Sequence, residues 1–360
     1  MLREINFILL IILLLITSVG VSAGDKLNIA GSLSTSIEAF SDDGELIDRE
    51  RLNLELKRDF GFAADMYIDL AIQAMEKEDT EVGTNEAYLN YYTDNMDWRI
   101  GKQVINWGSS YKLQPTDYFN PYDYTALKPL DEKLGIKAVK GVYYTPNALE
   151  ITGVVVPFFE SSIVNDVEDD LENLQAGFKV TRRSFKGFDL SVSGYHGFDK
   201  IPLSIQGDIT FAELDKFGFD LIGDIGEMGI WTECVYGIYK DNDFDNSLAG
   251  TFGVDYKFTN DLYLVGQLYY LESRIEKESD TKMFNFHFDK PVFNFHTIEG
   301  KVIYEFESET FVFEPQFTYS LAEAIELQIG GTFVERNNED VSIAYDLGED
   351  RFYSRLNIEF

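Results

Sequence analysis

Side chains able to ligate, attack or shuttle protons are scarce. The three histidines, His196, His287 and His296, are scattered, with no carboxylate at metal-ligand spacing, which argues against a metal site. The single cysteine, Cys234, excludes an internal disulfide framework, a thiolate zinc cluster and an iron–sulfur site. Asp241-Asn242-Asp243-Phe244-Asp245-Asn246 begins like a calcium loop, but Asn246 stands where an EF-hand needs glycine and Phe252 where it needs glutamate. The acidic run Asn165–Asp170 reads as a solvated face with at most loose attraction for divalent cations. His196 with nearby Asp199 is the one pairing a hydrolase could use. No glycine-rich phosphate loop opens a helix. The chemistry therefore points away from an enzyme, a metal and a cofactor.

One stretch has a different character. Asn106–Gly135 carries Trp107, Tyr111, Tyr118, Phe119, Tyr122 and Tyr124 together with Pro115, Pro121 and Pro129. Across residues 97–140 seven cations (Arg99, Lys102, Lys112, Lys128, Lys133, Lys137, Lys140) face five carboxylates (Asp97, Asp117, Asp123, Asp131, Glu132), a net +2 in a chain of net −33. Such an excess of negative charge elsewhere excludes nucleic acid as a partner. Long ordered loops tend to be functional. What this one could act on depends on the elements around it.

Those elements have a period of two. In Arg51–Lys57 apolar and polar residues alternate without a break, and Ala64, Met66, Ile68, Leu70, Ile72 and Ala74 oppose Asp65, Tyr67, Asp69 and Gln73. A helix would need apolar spacings of three and four. Strands are expected near 26–40, 49–60, 63–75, 84–93, 97–105, 136–145, 148–157, 174–184, 188–198, 214–224, 229–240, 247–258, 262–274, 282–289, 296–307, 310–320, 324–335 and 351–360, with 282–289 the weakest. Short connections such as Thr145–Ala148 alternate with longer acidic ones such as Ser41–Asp48, the pattern of an antiparallel meander. An aromatic content of 15% excludes wholesale disorder.

A soluble sandwich and a membrane barrel compete for this pattern. Sandwich strands average about 5–6 residues, whereas these run long and carry Asp65, Asp69, Glu299, Lys301 and Glu305 in mid-strand, as a wet lumen tolerates. The expected fold is an all-β, transmembrane, antiparallel up-and-down barrel of eighteen strands, or sixteen without the weakest segment and a neighbour. A barrel of that size leaves an aqueous channel. Phe7–Ile16 is an unbroken apolar run behind Arg3, followed by Val21 and Ala23 at small-residue cleavage positions, so residues 1–23 read as a cleaved signal peptide and 24–360 as the barrel domain. The competing reading is an anchor over Ile5–Val21, at the lower end of spanning length.

Two resemblances follow. In the last ten residues Phe352, Leu356, Ile358 and Phe360 share one parity and the chain ends on an aromatic carboxylate. This resembles the terminal strand signal of Gram-negative outer-membrane barrels, which implies the barrel-assembly machinery, periplasmic chaperones and outer-membrane lipid as partners. Gly101-Lys102-Gln103-Val104-Ile105-Asn106-Trp107-Gly108, followed by Pro115-Thr116-Asp117 and Asn120-Pro121, resembles a "GRQ…WG…P.D..NP" signature in a family of outer-membrane barrels of unknown function. More loosely, it is similar to the constricting loops of general and alginate-export-type porins. The match covers these motif residues alone.

Residues 106–135 are then expected to fold inward and narrow the lumen, setting Arg99, Lys112, Lys128, Lys137 and Lys140 as a basic side against acidic walls. Opposed charges across a narrow constriction focus field lines and orient a charged solute. Asp117 and Asp123 lie on the same path, and Trp107, Tyr111 and Tyr118 are placed to stack on ring-shaped solutes. The competing reading is an inert lid whose aromatics form a small core. The expected function is a porin for passive diffusion of small hydrophilic solutes, without cofactor; a non-conducting envelope barrel and a barrel hydrolase are the alternatives. Ion preference, solute and homo-oligomer formation stay open.

Overall fold

The structure, a computed structural model, describes residues 27–41, 44–75, 80–123, 126–127, 132–160, 173–200, 203–205, 208–241, 243–275, 279–293, 295–338 and 349–360. The signal-peptide segment, Lys128 and the Asn165–Asp170 run lie outside the described residues. Wherever the period of two is clear, a strand forms: β1 (Leu27–Phe40), β2 (Leu46–Asp59), β3 (Ala64–Met75), β4 (Glu81–Tyr92), β5 (Met96–Gln103), β6 (Ile136–Tyr144), β7 (Leu149–Val156), β8 (Gln175–Phe185) and β9 (Phe188–Phe198). A small hairpin, β10 (Leu203–Ile205) and β11 (Asp208–Thr210), comes next. The wall resumes with β12 (Glu213–Ile225), β13 (Met228–Tyr239), β14 (Ser247–Lys257), β15 (Tyr263–Leu271) and β16 (Thr281–Val292). It ends with β17 (His296–Glu305), β18 (Thr310–Ala322), β19 (Ile325–Arg336) and β20 (Arg351–Glu359).

Eighteen of these form one antiparallel sheet in which each strand pairs with its sequence neighbours, β9 with β12, and β20 back onto β1. The barrel is closed. Gly31 and Phe360 exchange backbone hydrogen bonds at the seam (2.9 and 3.0 Å). All eighteen expected segments are wall strands, and the weakest, 282–289, extends to Thr281–Val292. The β10–β11 hairpin was not anticipated, because three-residue strands are too short to display a period.

Side chains sort as a lipid-immersed wall demands. Ile29, Leu33 and Ile37 of β1, Phe217 and Phe219 of β12 and Leu268 of β15 are exposed on the outer face, as is Cys234. The expected mid-strand charges point inward and are bonded there: Asn90 donates to Asp65 (2.8 Å), Asn85 to Asp69 (3.0 Å), and Lys301 pairs with Glu314 (2.9 Å). Every connection at one rim is a tight turn, at 60–63, 93–95, 145–148, 186–187, 226–227, 258–262, 293–295 and 323–324. The opposite rim, here the loop rim, carries the long connections, including 104–135 and 199–212.

Candidate functional site

Past Gln103 the chain turns into the barrel. Prolines at 115 and 121 cannot donate to a ladder, and the loop is instead tied by side chains. Asn120 accepts the Ile105 N–H (2.7 Å) and donates to the carbonyls of Gln103 (3.2 Å) and Leu134 (2.7 Å), joining the two stems. Tyr122 bridges to Lys133, and Asp123 N–H donates to Glu132 O (2.9 Å).

From there one arm crosses to the far wall. Glu233 of β13, 1% exposed, accepts four hydrogen bonds: the N–H groups of Ser109 and Ser110 (2.7 Å each) on one oxygen, and the N–H (2.8 Å) and hydroxyl (2.7 Å) of Thr116 on the other. Gln267 of β15 accepts from Tyr111 N–H (3.1 Å) and from Trp231 Nε1 (3.0 Å), and donates to Lys112 O. Ser110 and Thr251 of β14 share a hydroxyl bond (2.5 Å). A second arm, 121–135, reaches β2 and β20. Arg51 donates to Glu132 (3.1 Å), and Arg351 to Leu127 O.

Between the arms the loop builds a hydrophobic core inside the barrel. Trp107 meets Phe119 edge-on at 4.9 Å and Tyr118 at 5.9 Å, and Phe119 meets Tyr195 at 5.2 Å. They pack on inward-facing Ile136, Ala138, Val154, Leu214 and Val235. Tyr118 lies directly over Gly218, where any Cβ would enter the space of its hydroxyl, and that hydroxyl bonds Ser193 (2.9 Å). Burial pushes the Tyr118 phenol well above its ordinary pKa.

Several expected site residues therefore have other duties. Trp107 and Tyr118 are 6% and 1% exposed and cannot stack on a passing solute, because the wall beneath them is apolar and holds them. Asp117, 1% exposed, pairs with Lys133 and anchors the loop. Lys137 faces the outside, paired with Glu160 at 3.0 Å, since its neighbours Ile136 and Ala138 take the inner face under the loop. Arg99 and Lys140 do face inward as cross-strand neighbours, with Arg99 donating to Asn90 (2.9 Å) and lying 4.0 Å over the Tyr88 ring. Tyr111 and Lys112 stand half-buried at the loop tip, Tyr111 beside His287 (5.4 Å), and Asp123 is half-buried on the second arm. His196 and Asp199 do not meet: His196 bonds Asp215 on the outer face (2.8 Å), while Asp199 is buried within.

The strongest basic strip is on the wall. Arg49 and Arg355 lie across Ser36 of β1 from either side, with Arg51 across from Ser34 and Arg351 across from Phe40, four residues along β20 from Arg355. Glu38, 1% exposed, pairs with Arg49 (3.5 Å) and Arg351 (3.1 Å). The polarity is the reverse of that expected, since here the wall is basic and the loop contributes a carboxylate, Glu132. Arg49 and Arg51 share the parity of Asn53 and Glu55, and Arg351 and Arg355 that of Asn357, which is the signal that marks them in the sequence.

A second ionic knot fastens the loop from above. Asp199 is held by Tyr239 Oη (2.6 Å), Arg274 (2.9 Å) and Lys216 (3.2 Å). Burial alone would raise its pKa, but Lys216 and Arg274 outweigh that and hold it well below the carboxylate range. Next to it, Lys200 donates to Asp117 O, and burial, with Lys133 and Lys216 adding to it, lowers its pKa to about 8. Among the described residues no group of three or more His, Cys, Asp or Glu could hold a metal ion.

Known structures share this architecture. The chain is similar to Pseudomonas aeruginosa OccK11 (OpdR), with a TM-score of 0.60 over 93% of this chain and 96% of that one at 8% identity. It is also similar to the trimer form of OmpT, an outer membrane protein of Vibrio cholerae (TM-score 0.50, 12% identity, 93% and 99% covered). A mutant of the Rh. blastica porin gives a TM-score of 0.50 at 13% identity, with 93% and 100% covered. No protein-family profile matches the chain, and no curated protein does. The fold is the closed barrel of the outer-membrane porins.

Proposed function

We propose that this chain is a channel of the Gram-negative outer membrane for passive diffusion of small hydrophilic solutes, and that it has no enzymatic activity. The observation that carries the reading is a long loop seated inside a closed barrel and bonded to the inner faces of β13, β14 and β15 on one side and of β2 and β20 on the other. Barrels of this class keep short turns on the periplasmic side, so the loop rim faces outward. Export would follow removal of residues 1–23, and Phe352, Leu356, Ile358 and Phe360 would present the assembly signal on one face of β20. The resemblance of the loop motif to that of outer-membrane barrels of unknown function supports the same reading.

At the constriction the solute would pass alongside the second loop arm where Arg51 and Arg351 tie it to the wall, within reach of the arginines of β2 and β20. Four guanidinium groups against Glu38 and Glu132 favour anions at that point, whatever the net charge of −33 does further out. Planar bilayers test the reading. Purified protein should insert with discrete current steps, and a chain lacking Asp117–Asp131 should give larger ones. Folded protein that never produces steps would instead be a non-conducting envelope barrel.

A further inference from the structure

The outer face carries a feature that solute passage does not use. Across β5 to β9 and β12, an outward row runs Trp98, Gly141, Gly153, Phe178, Gly194, Phe217, each paired across strands with the next. The Trp98 ring folds over Gly141 and the Phe178 ring over Gly194, so a Cβ at either glycine would lie 2.9 or 2.5 Å from an aromatic carbon. Gly153, between the two rings, has nothing within 4 Å of its Cβ position. The result is a groove of about 690 Å³ with a glycine floor and aromatic and aliphatic flanks, open to the bilayer.

Its upper edge, toward the loop rim, is charged. Lys102 and Lys137 are directly opposite each other on β5 and β6, both pointing outward, two residues above the Ile100–Val139 pair that borders the groove. Like charges directly opposite across strands are unfavourable. Lys137 has Glu160 at 3.0 Å, but among the described residues Lys102 has no ion-pair partner. An anion at this height would offset the repulsion. Lipid headgroups occupy this height, and long lysine stems reach them by snorkelling.

We propose that the groove seats one acyl chain of a phosphate-bearing lipid whose phosphate rests on Lys102 and Lys137. Chain and headgroup are recognised separately, by the open floor at Gly153 and by the lysine pair. The occupant is a lipid of the surrounding leaflet, because the groove opens onto the acyl region and Lys102, with no ion-pair partner among the described residues, stands above it at headgroup height.

Native mass spectrometry of the folded, detergent-solubilised full chain tests this with phosphatidylglycerol and with diacylglycerol of the same chains. The chain should retain one phosphatidylglycerol, on the order of thirtyfold more tightly than diacylglycerol, from about 1 kcal/mol per lysine at a membrane surface. Lys102→Gln with Lys137→Gln should erase that preference while leaving diacylglycerol binding in place. Gly153→Leu, which fills open space and so leaves the wall intact, should weaken both lipids; heat-modifiable gel mobility checks folding in each variant. Equal retention of the two lipids by the unaltered chain overturns the proposal, as does phosphatidylglycerol binding indifferent to all three substitutions. A dimer mass that disappears in Gly153→Leu would assign the groove to a second copy and overturn it too.

Discussion

Replacing Glu233 should unseat the loop. Its two oxygens take four donors from Ser109, Ser110 and Thr116, in a site where the carboxylate is 1% exposed. In Glu233→Gln one oxygen can still serve one pair of donors, while the new amide N–H₂ opposes the other pair. A hydrogen bond to a charged acceptor contributes about 1.5–3 kcal/mol, so losing two of them costs about 3 kcal/mol at the lower figure, the one suited to a lumen where water can substitute. Since every 1.4 kcal/mol is about tenfold in an equilibrium, the seated state should fall about 150-fold relative to the released one. Glu233→Ala should lose more. Asn120, Asp117 and Gln267 still hold the stems and tip, so the expected single-channel record is flicker between the original level and a larger one, more frequent in the alanine variant. Glu305→Gln is the control: that carboxylate is equally buried but accepts from Lys282, Glu307 and Ser308, none of them in the loop 104–135. Unchanged conductance and dwell times in folded Glu233→Ala would refute the view that this residue anchors the constriction.

Two further outcomes are expected. Arg51→Gln combined with Arg355→Gln should move the reversal potential in a salt gradient toward cation preference, and no shift would remove the wall strip from the selectivity path. Seating should also depend on pH at both ends. Because Asp199 is held below the ordinary carboxylate range, its contribution is complete above about pH 3.9 and is lost as pH falls toward the seated value, so larger conductance levels should appear only in strong acid; Arg274→Met should bring them to milder pH. Lys200 acts in the same direction at the alkaline end: its lowered value of about 8 means the seated loop binds fewer protons between pH 8 and the free-lysine range near 10.4. Seating should strengthen across that interval, and Lys200→Met should abolish the trend.

How much of this the chain discloses before folding depends on which side of the wall is consulted. The outer face is readable on most strands, because lipid imposes one rule on the wall, and even Thr281–Val292 obeys it with Phe284, Phe286 and Phe288. The loop stood out by its aromatics and prolines. Its interior partners did not. Where the loop packs, the lumen is apolar, so Val154 and Val156 look inward while Ile151 and Val155 look out, and parity alone cannot tell the faces of β7 apart. The same ambiguity on β6, where Ile136 and Ala138 take the inner face, is what misplaced Lys137. Glu233 and Gln267 are single polar residues on ordinary strands, meaningful only once a segment more than a hundred residues upstream in sequence lies against them. The arginines of β2 and β20 were visible as a parity pattern, but their neighbourhood forms only when the first and last strands meet.

That meeting place has a consequence for biogenesis. Arg351 belongs to the strand made last, yet it grips Glu38 of the first strand with one nitrogen and the loop backbone at Leu127 with another. The same side chain thus fastens the zip and the cork. A chain that zipped shut with its cork outside would forfeit half of that grip, so correct insertion of the loop and completion of the ring favour each other.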